Sequence, residues 1–504
     1  MALPASTFGR FPVILILSLA YLMATFFIQQ FGCRATQADG AAIERQLLSR
    51  GCTAVSEVSS ADFVVVNTCT VTAAADAQAR DAIRKIHSAN PSARVIVTGC
   101  YAQRAPEDLT ALPGVSWVVG NSHKPQIPHL VGELSQSSLV SRDFFPATSL
   151  DTEPLSLSHA PAKILTGNIF ERSEFLAAPV LGGEGNHTRP TLKIQDGCNS
   201  RCSYCVIPFV RGKSSSLPPE AVLREIRTLT ASGFREIVLS GINLGTYGRD
   251  LSPRVEFSAL LRRILDETSL DRLRISSIEP LDVTHDLVDL FASTDHIAQH
   301  FHMPLQSASD RILAAMHRWY RAEHYARRVE LIRERLPHAA IGADVIAGFP
   351  GETQADHAAT LAFIEALPFT YLHVFSYSAR PGTKAATLPD HLPAAVIKRR
   401  ARELRALGEA KAAAFRRSQL GRSLRILTLC RDEPNEVSAD PYTPALSTNF
   451  LRVHISGVWP ANSWLDVRIL SEEGNYLVGK PEDAHRSFSA SHLCETSAYS
   501  ASMR

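Results

Sequence analysis

The sequence predicts an α/β protein with an N-terminal doubly wound parallel sheet, a central partial (β/α)6 barrel and a small C-terminal β-barrel. Two long stretches alternate short apolar runs with helical patterns, and a later stretch has short strands without helices between them. The chain has 504 residues, of which 45% are hydrophobic and 20% charged, which excludes a wholly disordered chain. The formal net charge is only +2, so any nucleic-acid-binding surface must be local.

The N-terminal apolar run at residues 11–28 resembles a signal peptide or a membrane anchor. It continues into residues 29–33 without a small-residue cleavage site, and later segments need reduced thiols, which an oxidising compartment would endanger. Residues 1–22 are therefore interpreted as an apolar extension or a mis-assigned start before Met23. A membrane-proximal segment and an exported protein are the alternatives. The expected location is the cytoplasm, with no stable membrane partner.

Residues 23–134 are expected to form the N-terminal domain. Predicted strands span residues 26–31, 63–66, 94–98 and 115–119, and predicted helices span 41–50 and 73–88. Apolar strands separated by helices indicate a parallel, doubly wound sheet. The Ser- and Pro-rich residues 135–187 show no sustained period and are expected to form an interdomain linker.

Residues 188–418 repeat the alternation, which suits a partial (β/α)6 barrel. The candidate strands span 191–195, 236–240, 274–277, 300–303, 340–346 and 371–377. A helix over 398–422 carries nine basic residues against two acidic ones, a net charge of +7, and is either an anion-binding surface or a solvated basic face. Residues 419–482 contain short predicted strands at 424–429, 450–455 and 464–469, and residues 483–504 are expected to be a loose tail.

Three cysteines lie directly after the first barrel strand. Cys198, Cys202 and Cys205 have the spacing C-x3-C-x2-C. Three thiolates on one short loop can bind three irons of a cubane 4Fe-4S cluster, which leaves the fourth iron free for a chelating ligand. A closed zinc site would need a fourth Cys or His nearby, and the nearest downstream histidine is His285. The loop is therefore predicted to bind an iron–sulfur cluster.

A second trio of cysteines is spread over the N-terminal domain. Cys33, Cys69 and Cys100 each follow a predicted strand. Because parallel strands end at one edge of a sheet, these thiols are expected to converge there. They would then be a second set of three ligands, and three small buried residues are the alternative interpretation.

Polar and glycine-rich segments follow the other barrel strands. Gly241 and Asn243 follow the second strand, Glu279 the third and Gly348 the fifth, while His373 lies on the sixth. Active sites of α/β folds lie at this carboxyl edge, and glycine allows close approach of a ligand to the backbone. These residues are expected to contact a cofactor held at the cysteine loop.

The cysteine loop resembles that of the radical S-adenosylmethionine (SAM) superfamily, in which Tyr204 would occupy the aromatic position beside the adenine of SAM. The segments around the other cysteines resemble the N-terminal domain of the methylthiotransferases within that superfamily, and the resemblance covers about residues 23–480. It is strongest to the branch that acts on N6-threonylcarbamoyladenosine in tRNA. The segments that carry the resemblance are 32–37, 67–72, 99–103, 193–205, 276–280 and 373–378.

The resemblance implies two 4Fe-4S clusters, one on each cysteine trio, and SAM bound to the open iron of the first. One SAM molecule would methylate sulfur at the second cluster, and another would give the radical that abstracts hydrogen from C2 of the adenine. No side chain is assigned as a catalytic acid or base. The implied partners are tRNA, bound by a TRAM-like domain at 419–482, and a flavodoxin- or ferredoxin-like electron donor. The sulfur source is left open.

The implied function is C2-methylthiolation of N6-threonylcarbamoyladenosine at position 37 of tRNA. The alternatives are methylthiolation of N6-isopentenyladenosine in tRNA or of a ribosomal-protein aspartate, and an RNA-binding iron–sulfur carrier without catalytic activity. Cleavage of SAM by the reduced protein would separate the enzymes from the carrier. The sequence departs from the family at Thr36, Ser215 and Ala308, where the family usually has Asn, Arg and Gly.

Overall fold

The computed structural model describes residues 24–131, 162–172, 175–181, 188–430 and 442–482. The fold class is confirmed: a parallel sheet, a partial barrel of parallel strands and a closed β-barrel follow one another along the chain. The expectations for residues 1–22 and 483–504 lie outside the described residues. Within the described ranges, every helix is too short or too polar to cross a bilayer.

The N-terminal sheet has six parallel strands in the order β2-β1-β3-β4-β5-β6. Neighbouring residues of β3 point to opposite faces, so Val64 packs with Ile83 on one side and Val65 with Ile43 on the other. Both faces are therefore covered by helices, as in a doubly wound sheet. The elements are β1 (Thr25–Gln30), β2 (Thr53–Ala54), β3 (Phe63–Thr68), β4 (Arg94–Gly99), β5 (Val115–Gly120), β6 (Lys163–Leu165), α1 (Arg34–Ser49), α2 (Ala73–Ala89), α3 (Cys100–Arg104) and α4 (Glu107–Thr110).

Helix α1 begins seven residues before the predicted start at residue 41. Its first turns bury Thr36, Asp39 and Gly40, so they lack the apolar stripe from which a helix is predicted. Gly40 packs against the side chain of Gln30 on β1 and leaves no space for a Cβ. A polar, closely packed helix start therefore hid the first two turns from sequence reasoning.

The predicted linker 135–187 is corrected at two places. Lys163–Leu165 forms β6, which pairs in parallel with Trp117–Val119 of β5, and Val180 forms a bridge with Thr191. A three-residue edge strand is too short to show a period in the sequence. The rest of the predicted linker is described only at residues 162, 166–172, 175–179 and 181.

The central region has two parallel three-stranded sheets, β11-β10-β7 and β12-β13-β14. Bridges from Leu273 to Ile297 and from Ser277 to His302 join them, so six strands follow one another around a partial barrel. All six lie within two residues of their predicted bounds. The strands are β7 (Thr191–Lys193), β8 (Gln195–Asp196), β9 (Ser215–Ser216), β10 (Glu236–Ser240), β11 (Arg272–Ile275), β12 (His300–His302), β13 (Ala340–Ala347) and β14 (Tyr371–Ser376).

Amphipathic helices cover the outside of the partial barrel and bury one large apolar core against its strands. The helices are α5 (Ile207–Arg211), α6 (Pro219–Ala231), α7 (Phe257–Glu267), α8 (His285–Ala292), α9 (Asp310–Ala315), α10 (Ala322–Arg335), α11 (Gln354–Ala366) and α12 (Ala394–Arg417).

Helix α12 is the predicted basic helix, shifted by about four residues toward the N-terminus. Several of its basic side chains form ion pairs or hydrogen bonds within the protein. Arg400 is buried and pairs with Glu352 at 2.6 Å, Arg416 bonds Glu472 at 2.8 Å, and Lys411 donates to the carbonyl oxygen of Leu367 at 2.8 Å. Much of the charge is therefore used in packing and is not a free anion-binding surface.

The C-terminal strands close into a five-stranded barrel in the order β15-β16-β17-β19-β18. Two of its strands, β16 and β19, were not predicted. The barrel contacts the amino ends of β11 and β12 in the central barrel. There Phe450 stacks on His300 at 4.2 Å, and Thr448 accepts a hydrogen bond from Arg272 at 2.6 Å. Its strands are β15 (Ser423–Thr428), β16 (Tyr442–Ser447), β17 (Arg452–Ser456), β18 (Trp464–Glu473) and β19 (Tyr476–Pro481).

Candidate active site

The cysteine loop lies between β8 and α5 and is fixed by backbone contacts. Gly197 has a positive φ of 68°, and a Cβ there would collide with the carbonyl of Lys213, so the loop needs glycine at this turn. Ser203 donates from its backbone N–H to the Met316 carbonyl at 3.0 Å, and its own carbonyl accepts from Ala385 at 2.7 Å. The loop is therefore held at the carboxyl edge of the barrel.

The sulfur atoms of this loop receive hydrogen bonds. The backbone N–H of Ser200 donates to Cys198 Sγ at 3.4 Å, and the guanidinium of Arg318 donates to Cys202 Sγ at 3.4 Å. Burial raises the pKa of the Cys205 thiol to about 12. Donors directed at sulfur stabilise a thiolate, and iron ligation deprotonates a thiol outright. The loop therefore fits thiolate ligands of a positively charged centre.

The second trio also converges, at the carboxyl edge of the N-terminal sheet. Cys33 caps α1 after β1, Cys69 follows β3, and Cys100 begins α3. Gly32 has a φ of 93°, and a Cβ there would lie 2.9 Å from Cys69 Sγ, so glycine allows these strand ends to approach. Burial, helped by the neighbouring Cys100, raises the pKa of the Cys69 thiol to about 11.

Neither trio has the spacing of a single-ion site. All six thiols are free of disulfide bonds, but among the described residues only a His–Asp–His group brings three ligand atoms within 4.8 Å of one another. A tetrahedral zinc ion with Zn–S bonds of about 2.3 Å needs sulfurs about 3.8 Å apart. More widely spaced thiols fit a larger metal cluster.

Buried ion pairs join the two cysteine sites. Arg211, from the helix after the cysteine loop, bonds Asp196 at 2.9 Å, and Asp39 and Thr36 of α1 at 3.0 and 3.2 Å. Lys124 bonds the same Asp39 at 2.8 Å. Burial opposes ionisation of Asp39, but Arg211 and Lys124 hold the pKa of its carboxyl well below the usual range. The N-terminal sheet is thus fixed against the open side of the barrel.

Several residues expected at a cofactor lie at the carboxyl edge beside the cysteine loop. Tyr204 packs against an apolar group that includes Phe349. Glu279 forms an ion pair with Arg318, the same residue that contacts Cys202. Asn243 follows β10, and its side-chain oxygen is buried without a hydrogen-bond partner.

Further features of this edge fit a bound ligand. Ser276 Oγ and Tyr377 OH, after β11 and β14, are likewise buried without hydrogen-bond partners. Gly348 has a φ of 82° and donates its N–H to Glu352 at 2.9 Å, while Gly241 packs against Gln195. Unsatisfied buried polar groups are costly, so these atoms indicate that a polar ligand completes the site.

His373 lies instead in what we call the ionisable wall, formed on β12–β14 by five residues. The ring of Tyr371 leans across Gly342, which has no room for a Cβ, and its hydroxyl lies 2.9 Å from His302 Nδ1. Asp344 lies 2.9 Å from His302 Nε2 and 3.4 Å from His373 Nδ1. The fifth member is His300, whose Nε2 lies 2.7 Å from the Tyr371 hydroxyl.

The wall carries a fixed negative charge. Burial alone would raise the pKa of Asp344, but hydrogen bonds from His302 and His373 hold this pKa well below its usual range. Burial lowers the pKa of His300 well below the usual histidine value, so this ring is neutral. The wall therefore presents both hydrogen-bond donors and acceptors.

Comparisons with known proteins identify the family. Residues 25–120 match the Uncharacterized protein family UPF0004, and residues 192–364 match the Radical SAM superfamily. The threonylcarbamoyladenosine tRNA methylthiotransferase MtaB of Aquifex aeolicus (strain VF5) is 36% identical over 415 residues, which are 82% of this chain and 94% of that protein. The tRNA-2-methylthio-N(6)-dimethylallyladenosine synthase of Sphingopyxis alaskensis is 34% identical over 464 residues, 91% and 97% of the two chains.

A solved structure shares the fold. The radical SAM methyltransferase TsrM from Kitasatospora setae superposes with a TM-score of 0.50 at 17% sequence identity, over 70% of this chain and 72% of that one. The chain belongs to the radical SAM tRNA methylthiotransferase family. It is therefore an enzyme that transfers a methylthio group to tRNA with SAM and a 4Fe-4S cluster.

The sequence does not reveal residues whose partners lie far away along the chain. Arg318 and His302 lie far along the chain from their partners Cys202 and Asp344, and no local motif marks such pairs. The sequence offers one signal of these distant partners. Lys193 and Asp196 are charged residues in an otherwise apolar stretch just before the cysteine loop, and such charges are rarely buried without a partner.

Proposed function

We propose that this enzyme methylthiolates C2 of N6-threonylcarbamoyladenosine at position 37 of tRNA. The observation that carries the proposal is the ionisable wall on β12–β14. A threonylcarbamoyl group has a carboxylate, a hydroxyl and a urea. The carboxylate can accept hydrogen bonds from histidine and tyrosine, and the hydroxyl and urea N–H groups can donate to a carboxylate side chain. An isopentenyl group is pure hydrocarbon and could form no hydrogen bond with these side chains, including the unpaired Nδ1 of His300.

Each cysteine trio binds one 4Fe-4S cluster in this proposal. Cys198, Cys202 and Cys205 bind the cluster that holds SAM, and the trio of the N-terminal domain binds the second. When bound, these groups supply the radical that removes hydrogen from C2 and the methylthio group that replaces it. The hydrogen bonds to sulfur and the wide spacing of the thiols support this assignment.

The protein's own residues position the reactants. Tyr204 would pack beside the adenine of SAM, and Gly241, Asn243, Glu279 and Gly348 would line the rest of the SAM site. The buried unpaired oxygen of Asn243 supports this role, because it needs a donor. His373 faces the substrate, and the ion pairs around Arg211 exclude water between the two clusters. A flavodoxin- or ferredoxin-like protein supplies the electron.

Two surfaces bind the tRNA. On the C-terminal barrel, residues 419–482, the rings of Tyr442, His454 and Tyr476 are stacked with centroids 4.2 and 3.8 Å apart. Beside the cysteine loop, Trp319 is 80% exposed and borders a cavity of about 370 Å³ that is also lined by Arg249 and Arg254. Aromatic faces and guanidinium groups are suited to stack on bases and contact phosphates.

Mass spectrometry of tRNA nucleosides tests the proposed substrate. A strain lacking the gene should accumulate N6-threonylcarbamoyladenosine and lose its 2-methylthio derivative, and the intact gene should restore it. Loss of the 2-methylthio isopentenyl nucleoside instead would reject the proposal in favour of the sibling activity. An unchanged tRNA profile, with a ribosomal protein lacking its methylthio group, would reject tRNA as the substrate.

A further inference from the structure

Arg34 is a charged residue beside the second cysteine trio. It is the first residue of α1 and directly follows Cys33. The described part of the chain provides its guanidinium with no hydrogen bond and no ion pair, and the residue is exposed. Helix α1 is joined to the central barrel by the ion pair of Asp39 with Lys193 of β7, and the charge of Arg34 interacts with Arg189, Arg274, Tyr371 and Glu236 of that region. Arg34 therefore lies where the N-terminal sheet faces the barrel.

The surroundings of Arg34 cannot neutralise it. Glu236 is already bonded by Arg272 at 2.6 Å, Arg274 at 2.8 Å and Arg189 at 3.3 Å. Arg34 therefore adds a fourth positive charge near a carboxylate that three guanidinium groups already bond. Excess positive charge in a partly enclosed space is unfavourable unless an anion joins it.

Arg34 also has no stabilising role in its own helix. A cation in the first turn of a helix opposes the helix dipole, which favours negative charge there. The other arginines of the group have structural partners: Arg272 and Arg274 also bond the C-terminal barrel at Thr448 and Ser447. Arg34 alone among the four is left for a ligand.

We propose that Arg34 binds the carboxylate of the substrate's threonylcarbamoyl group and thereby selects this substrate over uncharged N6-substituted adenosines. This inference rests on the proposed function. Arg34 is adjacent to the cysteine at which the methylthio group is delivered, and it neighbours Tyr371 of the ionisable wall. A base that reacts at the second cluster would therefore place its N6 substituent between Arg34 and that wall. The planar guanidinium can bind a carboxylate through two parallel hydrogen bonds.

The test compares two anticodon stem-loops on reconstituted enzyme. One carries N6-threonylcarbamoyladenosine, and the other carries its methyl ester, which is uncharged and one methyl group larger. The wild type should prefer the acid, and Arg34→Gln should lower kcat/KM for the acid by about 10–100-fold while leaving the ester nearly unchanged. Arg34→Lys keeps the charge and should retain most of the preference.

Controls separate specificity from general damage. Arg84→Gln removes an exposed arginine of α2 that pairs only with Asp81, and should leave both substrates unaffected. Iron content and SAM cleavage without tRNA should be normal in both Arg34 variants. An acid-to-ester ratio that Arg34→Gln leaves unchanged would overturn the inference while the proposed function stands, as would a wild type that does not distinguish the two. An isopentenyl stem-loop is included as a third substrate, and a wild type that modifies only that one would overturn the proposed function and the inference with it.

Discussion

At the residue scale, the account depends on which thiols hold which cluster. Replacing Cys198, Cys202 and Cys205 by Ala removes the ligands of the SAM-binding cluster and leaves the other trio intact. Anaerobically reconstituted wild type should contain about eight irons and the triple variant about four, as two four-iron cubanes imply. SAM cleavage should be abolished. Iron analysis and chromatography of 5′-deoxyadenosine measure both.

The control for this variant is Cys52→Ala, a free and half-buried cysteine outside both trios, which should keep all the iron. A triple variant with full iron content would show that the loop does not bind a cluster. Core truncations of this kind cost about 1–3 kcal/mol, so folding of each variant is checked by circular dichroism first.

At the element scale, Glu236 connects β10, β11 and the C-terminal barrel. Its carboxylate is fully buried, and although burial opposes ionisation, Arg272, Arg274 and Arg189 hold its pKa well below the usual value. Glu236→Gln leaves these arginines without their counter-ion, so we expect a loss of about 3–5 kcal/mol at pH 7. Thermal or urea unfolding of the two proteins measures this difference.

The buried carboxylate of Glu236 also predicts how the free energy of unfolding depends on pH. Because the folded-state pKa lies below the unfolded one, Glu236 contributes its stability above the usual glutamate pKa of about 4.3 and loses it as the pH falls further. The difference between wild type and Glu236→Gln should therefore shrink between pH 5 and pH 3. Glu267→Gln, which breaks exposed pairs with Arg263 and Arg227, should change the stability far less. A difference for Glu236→Gln that grew on acidification would contradict the assigned role.

Much at the element scale could be predicted from the sequence. Buried parallel strands are continuous apolar runs, so those of the sheet and central barrel appear within two residues of their expected positions. The cysteine loop has a fixed local spacing and could be recognised from that alone. In both cases the signal lies within a few consecutive residues, where periodicity and spacing are informative.

The features that could not be predicted from the sequence depend on partners far away in the chain. Lys163–Leu165 is a strand only because Trp117–Val119 provides an edge for it. The polar start of α1 is stabilised by Arg211, which follows Asp39 by 172 residues. The absence of a partner for Arg34 among the described residues is visible only once the N-terminal sheet and the barrel are placed together. Such features arise from tertiary packing, which overrides local propensity.

At the scale of the whole molecule, tRNA must reach the cluster site from outside. Trp319 is the exposed aromatic beside the cysteine loop, and a stacked base contributes about 1–3 kcal/mol. Trp319→Ala should therefore weaken tRNA binding by about 5–150-fold while SAM cleavage without tRNA stays normal. Fluorescence anisotropy with a labelled anticodon stem-loop measures the affinity. Leu48→Ala, an exposed apolar residue of the N-terminal domain, is the matched control, and equal affinities of the two variants would exclude Trp319 from the interface.

The two cysteine trios have different roles in the proposed reaction. Cys33, Cys69 and Cys100 belong to a different sheet from the loop that holds SAM, and buried ion pairs fix the two sites against each other. Replacing these three cysteines by Ala leaves the SAM-binding loop untouched, so radical formation should survive while the methylthio donor is lost.

The most direct measurement is of both products in one reaction of this triple variant with N6-threonylcarbamoyladenosine stem-loop, SAM and reductant. The account predicts 5′-deoxyadenosine at near the wild-type rate, about four irons per chain and no 2-methylthio product. Normal yield of the 2-methylthio nucleoside from folded variant would contradict it, because the methylthio group would then come from elsewhere. Loss of 5′-deoxyadenosine with the SAM-binding cluster intact would contradict the separation of the two roles.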